Sequence, residues 1–258
     1  MADIWHADFA GAPPFAPLRA WAEALAGPDW PCLERLNALA EQHGIVNARG
    51  LPIRFRPQHL RCGQRDYEAG ILATGEVSTR AENWHDLLNA LAWLAYPATK
   101  AALNATQTRS LAGTAGRGPE SDAATLFDES GLVLAGPDAT LAHRLADKHW
   151  HETFVARRDD WKHFRCFAVG HAVLEKLLTP WPGITAKCLY VPLRDGNEDE
   201  RETRARVDAA AAKVWRDGAI QRPAQLFPMP VLGIPGWWPG NESPAFYQDK
   251  AVFRPARA

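Results

Sequence analysis

The chain has 258 residues, of which 47% are hydrophobic and 23% charged, and its formal net charge is −1. These are ordinary globular proportions for one large domain or two small ones. They exclude a protein that binds nucleic acid or an anionic membrane through its overall charge. No window approaches the ~18 uninterrupted apolar residues of a membrane span. The four cysteines, Cys32, Cys62, Cys166 and Cys188, contain no Cys-x-x-Cys pair, so a zinc ribbon or thioredoxin-like motif has no support. The start of the chain has neither a basic head nor an apolar run, and the expectation is a soluble, reduced, cytoplasmic protein.

Residues 1–16, rich in Ala, Pro and Phe, are expected as an extended arm anchored by Trp5, Phe9 and Phe15. Residues 17–26 place Leu18, Trp21, Ala22 and Leu25 on one helical face, and Gly27-Pro28 ends that helix. Residues 31–43 repeat the pattern with Leu33, Leu36, Leu39 and Ala40, stopping at Gly44. Segment 1–50 therefore reads as an arm plus a helical hairpin, 51–225 as the body, and 226–258 as a Pro- and Trp-rich clasp. In the body, 52–57 alternates apolar and basic residues between two prolines, which predicts an edge strand. Residues 66–77 fit helix or strand.

The densest stretch is 79–97. Trp84, Leu87, Leu88, Leu91, Leu94 and Ala95 form a helical stripe, starting at Asn83 with Asp86 completing a capping pair. Thr79 with Glu82 is an alternative start. Pro97 stops this helix and opens a second one running to about residue 110. Opposite the stripe stand His85, Asn89 and Tyr96, with Asp86 and Trp93 on the next flank. One reading makes His85 a base or metal ligand supported by Asp86 and Asn89. The other makes all of them caps and structural polar groups.

Residues 111–121 read as a Gly-rich loop in which Arg117, near Arg109, offers an anion contact or a solvated charge. Residues 125–134 are expected as a β-hairpin around a polar turn. There Asp128 and Glu129 fit hard-metal ligands but are better explained as turn residues. Asp138 should cap a helix running towards Trp161, in which His149 and His151 do not share a face. Residues 162–169 predict a strand that passes through Gly170 into a helix carrying His171 and Glu175 as i,i+4 neighbours. A strand over 185–193 and a charged helix over 198–216 follow. The tail beyond 226 is too rich in proline for a central strand. The fold class is α+β: a single domain with a mixed sheet of about five strands packed with helices.

Several motifs together resemble a known family. They are Tyr67-Glu68, Thr74-Gly75, Glu82-Asn83-Trp84-His85-Asp86-Leu87 with Asn89-Ala90-Leu91, and Lys100 with Leu103-Asn104. Gly116-Arg117-Gly118-Pro119, Leu126-Phe127-Asp128-Glu129-Ser130-Gly131, Gly170-His171 with Leu174-Glu175-Lys176, and segment 230–238 complete the set. The family is the mostly proteobacterial domain of unknown function numbered 3025, and the likeness covers nearly the whole chain. It implies a single soluble domain with no established activity. The family pattern also places a His after the Leu-Asn pair, where this chain has Gln107.

Two function classes remain. The first is a binding or scaffold protein in which these polar groups are structural. The alternative is a metal-assisted hydrolase of phosphoester or amide bonds, with a divalent metal as cofactor. In that reading His85, Asp86 and Asn89 face His171 and Glu175 across a cleft, and Arg80, Arg117 and Trp93 contact substrate. The sequence names neither the metal nor a partner. Convergence of His85, Asn89, His171 and Glu175 on one cavity supports the enzyme, whereas a filled core around His85 supports the scaffold.

Overall fold

The structure, a computed structural model, describes residues 3–58, 63–109, 118–193 and 199–256. Its larger sheet is mixed and has the order β4-β3-β5-β6. Strand β3 (Gly131–Gly136) is buried along its whole length, which fits its unbroken apolar sequence covered on both faces. It runs parallel to β5 (Thr185–Pro192) and antiparallel to β4 (Arg165–Ala168). Strand β6 (Phe227–Pro230) pairs antiparallel with β5 at the far edge, where its prolines interrupt no central ladder. The smaller sheet pairs β1 (Arg54–Pro57) in parallel with β2 (Glu76–Thr79). Thus the strands divide between two sheets, and the class is α+β.

Residues 66–77 prove to be both helix and strand. Helix α3 (Gln64–Thr74) ends at Gly75, whose φ of 79° turns the chain into β2. A Cβ at Gly75 would lie 2.2 Å from the Pro52 carbonyl oxygen, so only glycine fits there. Helices α1 (Arg19–Leu25) and α2 (Leu33–Gln42) stand where two helices are expected. Before them the chain is not simply extended, because Phe9–Gly11 and Pro13–Leu18 are 3₁₀ turns.

Helix α4 (Trp84–Ala95) starts at Asn83, whose Oδ1 accepts the Asp86 amide at 3.2 Å. Every residue of α4 is buried except His85 and Asp86. The N-terminal arm steadies this end: Asp3 accepts the Trp84 amide at 3.0 Å, and Trp5 stacks on Trp84. Helix α5 (Pro97–Arg109) is capped from a distance. Asp208 of α9 (Glu200–Arg216) is buried and accepts the amides of Ala98 and Thr99 at 3.0 and 2.8 Å.

Two further sequence expectations are corrected. The hairpin expected at 125–134 does not form: α6 (Pro119–Ser130) runs directly into β3. Pro119 opens it, Glu120 and Asp122 suit its positive end, and Ala123, Ala124 and Phe127 make one buried face. The apolar pair at 126–127 belongs to that helix, so Asp128 and Glu129 lie on its last turn and not in a β-turn. The long helix expected from 139 to 161 is broken into α7 (Thr140–Ala146), a π-helical turn at Glu152–Ala156 and a 3₁₀ turn at Arg158–His163. The tail packs Phe253 and Tyr247 against Phe154, and the Asn241 amide donates to the carbonyls of Leu232 and Ile234.

Candidate functional site

The last turn of α6 and the start of α8 (His171–Leu177) touch backbone to backbone. Gly170 donates its amide to the Gly131 carbonyl at 2.9 Å. A Cβ there would lie 2.3 Å from the Gly131 nitrogen and 2.6 Å from the Glu129 carbonyl. The absent side chain is what lets His171 sit against Asp128 and Glu129.

These groups line a cavity of about 330 Å³ together with residues of α3, α4 and α5. His85 Nδ1 lies 2.8 Å from Glu175 Oε2. The His85 and His171 rings meet edge to face with centroids 4.5 Å apart. His171 Nε2 is 3.3 Å from Glu129 Oε2, and its Nδ1 is 3.9 Å from Asp128 Oδ2. A carboxylate only accepts, so neutral His85 carries its proton on Nδ1 and leaves the Nε2 lone pair free. His85, Glu129 and His171 each offer one ligand atom, and these atoms all lie within 4.8 Å of one another.

Deeper in, Lys100 of α5 forms an ion pair with Asp128, donates to Asn89 Oδ1 at 2.9 Å, and lies 5.5 Å from the centre of the Trp93 ring. Asn89 in turn donates to the Tyr67 hydroxyl at 3.2 Å. Beside them Asn104 donates to Glu68 Oε2 at 2.7 Å. With its amide nitrogen towards Glu68, Gln107 donates to the same oxygen at 3.1 Å.

Burial sets the charge states. It pushes the His171 imidazole down to about 3, helped by the Lys100 cation against the pull of Asp128, and so keeps it neutral. Burial raises the Glu68 carboxyl to about 7, with Asp128 adding to the rise. Glu129 is raised by burial and by Asp128. Burial works to raise Asp128, but the charge of Lys100 and its hydrogen bond win and hold the carboxyl below the usual range.

Residues 53–257 match the model of a family described as protein of unknown function (DUF3025). The chain belongs to this family. The match spans every cavity residue of this DUF3025 chain. No curated protein and no solved structure matches.

Of the residues singled out in the sequence, His85, Asn89, His171 and Glu175 are brought together. Asp86 also lines the cavity, and its carboxylate accepts from the backbone amide and the guanidinium of Arg80 at 2.6 to 3.0 Å. Arg80 reaches the cavity wall in that pairing, and Trp93 is buried beneath Lys100. Arg117 lies outside the described residues. Sequence reasoning named Lys100, Asn104 and Glu68 only within the family motifs, with no role in the site, and preferred a turn for Glu129 over a metal ligand. One signal was present: Lys100, Asn104 and Gln107 are polar at i, i+4 and i+7, a single helix face that is buried.

Proposed function

We propose that the cavity is the active site of a metal-assisted hydrolase. The observation that carries this reading is the convergence of His85, Glu129 and His171, with Glu175 behind the first imidazole. Two imidazoles and one carboxylate are a donor set used for divalent transition metals with open positions. His85 would ligate through Nε2, held in that tautomer and orientation by Glu175. His171 would ligate through Nε2, since Nδ1 is shut in and without a hydrogen-bond partner among the described residues. Glu129 supplies the anionic ligand. When bound, a divalent ion activates water and polarises the bond to be cleaved. Lys100 holds a fixed positive charge nearby, kept in place by Asp128 and Asn89.

A second reading, a binding protein without chemistry, is favoured by one feature. Lys100, Asp128, Arg80 and Asp86 already satisfy one another. Metal analysis of untagged protein purified without chelator separates the two, paired with melting curves with and without EDTA. A stoichiometric transition metal whose removal lowers Tm supports the hydrolase. A metal-free protein indifferent to EDTA and to added metal sinks it and leaves the binding role. A cytoplasmic setting belongs to the same proposal, supported by the free thiols of Cys32, Cys166 and Cys188. Among the described residues no helix is long and apolar enough to cross a membrane.

A further inference from the structure

We infer that the hydroxyl of Tyr67 is a catalytic hydrogen-bond donor which, together with Lys100, seats the oxygen that gains negative charge as the substrate is attacked. The inference rests on the hydrolase reading for the reaction, but its residues are separate from His85, Glu129 and His171, which would hold the metal.

The direction of one side-chain amide carries it. Asn89 stands between Lys100 and Tyr67 on the cavity wall. An ammonium group has donors only, so the Asn89 atom 2.9 Å from Lys100 Nζ is the carbonyl oxygen. The amide nitrogen therefore faces the Tyr67 hydroxyl, 3.2 Å away, and donates to it. A phenol has a single proton, and since its lone pairs meet Asn89, that proton points elsewhere. Tyr67 lines the cavity, and among the described residues no acceptor takes the proton. Burial, with the charges of Glu68, Asp128 and Asp86, raises the phenol far above its ordinary range, so it remains a donor through neutral pH.

Lys100 adds a second donor. Its ammonium has three N–H bonds, of which Asn89 and Asp128 take two. The third is left over, and Lys100 also lines the cavity. One carboxamide thus separates a neutral O–H donor from a cationic N–H donor. Asn89 follows His85 by one turn of α4, which puts their Cβ atoms about 6 Å apart. A substrate whose scissile group lies on a metal held by His85 can reach this pair with an oxygen of the same group. Donors fixed in place before the reaction favour an oxygen that gains charge over one that does not. Tyr67 lends a hydrogen bond and keeps its proton. The pair suits an oxyanion on carbon or on phosphorus, and the two are separated by the choice of probe.

The test uses the full chain, with and without Zn²⁺, and two oxyanion probes: acetohydroxamate for the acyl class and methylphosphonate for the phosphoryl class. Calorimetry on the parent and on Tyr67→Phe is expected to show a loss of at least about tenfold in affinity for the probe the cavity prefers, the usual cost of one hydrogen bond to a charged oxygen. Zn²⁺ affinity should stay within about twofold of the parent, whereas a merely structural role would lower both together. In the parent, the bound probe should also hold the phenol proton against exchange, giving a downfield proton resonance that is missing without probe. Unchanged probe affinity in Tyr67→Phe, an equal loss of Zn²⁺ and probe, or no binding of either probe by the parent overturns the inference. If the variant does not fold, the resonance of the parent decides the matter, and its absence overturns the inference. A separate Zn²⁺ titration tests the metal reading. If Zn²⁺ fails to bind while the metal-free parent holds a probe that Tyr67→Phe loses, the hydrolase reading falls and the oxyanion seat stands.

Discussion

His85 on α4 and Glu175 on α8 are joined by a hydrogen bond of 2.8 Å, and this contact orients the imidazole edge-on to His171. Both partners are partly open to solvent, so the bond adds little to stability once screening is allowed for. Its effect belongs to the site. Glu175→Gln retains the shape but loses the charged acceptor that fixes the tautomer. Zn²⁺ affinity should fall by about 10- to 100-fold while the urea midpoint barely moves. Calorimetric titration checks this, and unchanged affinity would remove Glu175 from the site.

Lys100 and Asp128 make the opposite case, because both are buried. Lys100→Met leaves the Asp128 carboxylate alone in a low-dielectric wall and should cost about 3–5 kcal/mol. The double variant Lys100→Met/Asp128→Leu should regain much of that loss, because it removes the orphan charge as well. Urea unfolding of the parent, the two singles and the double closes the cycle. A double variant no more stable than Lys100→Met would show that the pair does more than neutralise itself.

What the sequence revealed follows from the range of the interactions involved. Asn83, the leucine stripe and Pro97 act within one turn or one helix face, and α4 could be read from them alone. That 227–230 takes no central place in the sheet followed from its prolines for the same reason. Asp128 and Glu129 were misjudged because a short apolar run before a polar pair and a Gly fits a hairpin as well as a helix end. The choice was made by burial of Phe127 against Trp215, far away in the chain. Likewise, nothing local to Lys100 says that its partner stands 28 positions later. His85 and Asn89 were legible as a polar face, but their partners were not.

The contact between Gly170 and the 129–131 backbone gives a sharper structural test. Gly170→Ala places a methyl group 2.3 Å from the Gly131 nitrogen, with backbone and no flexible side chain to yield. The start of α8 must then move away from α6, taking His171 from Glu129. We expect a loss of about 2–3 kcal/mol and a coupled loss of Zn²⁺ binding. Ala172→Gly, on the same helix turn, is the control for helix propensity, and should cost about 1 kcal/mol with metal binding intact. Denaturant unfolding and calorimetry on both variants separate the two effects.

Glu68 makes stability depend on pH in a direction opposite to that of most carboxylates. Its folded value, about 7, lies above the ordinary 4.5, so between these values the folded chain holds the proton that the unfolded chain has lost. This group's contribution is fully present below pH 4.5 and disappears as pH rises to about 7. The shift corresponds to roughly 3 kcal/mol. Glu68→Gln removes the titrating proton but keeps an oxygen for Asn104 and Gln107. Relative to the parent, the variant should therefore gain stability steadily between pH 4.5 and 7, with a constant difference on either side. Urea unfolding of metal-free protein at closely spaced pH values measures that difference curve. A flat curve, or one that falls with rising pH, would mean that Glu68 enters the folded state already ionised.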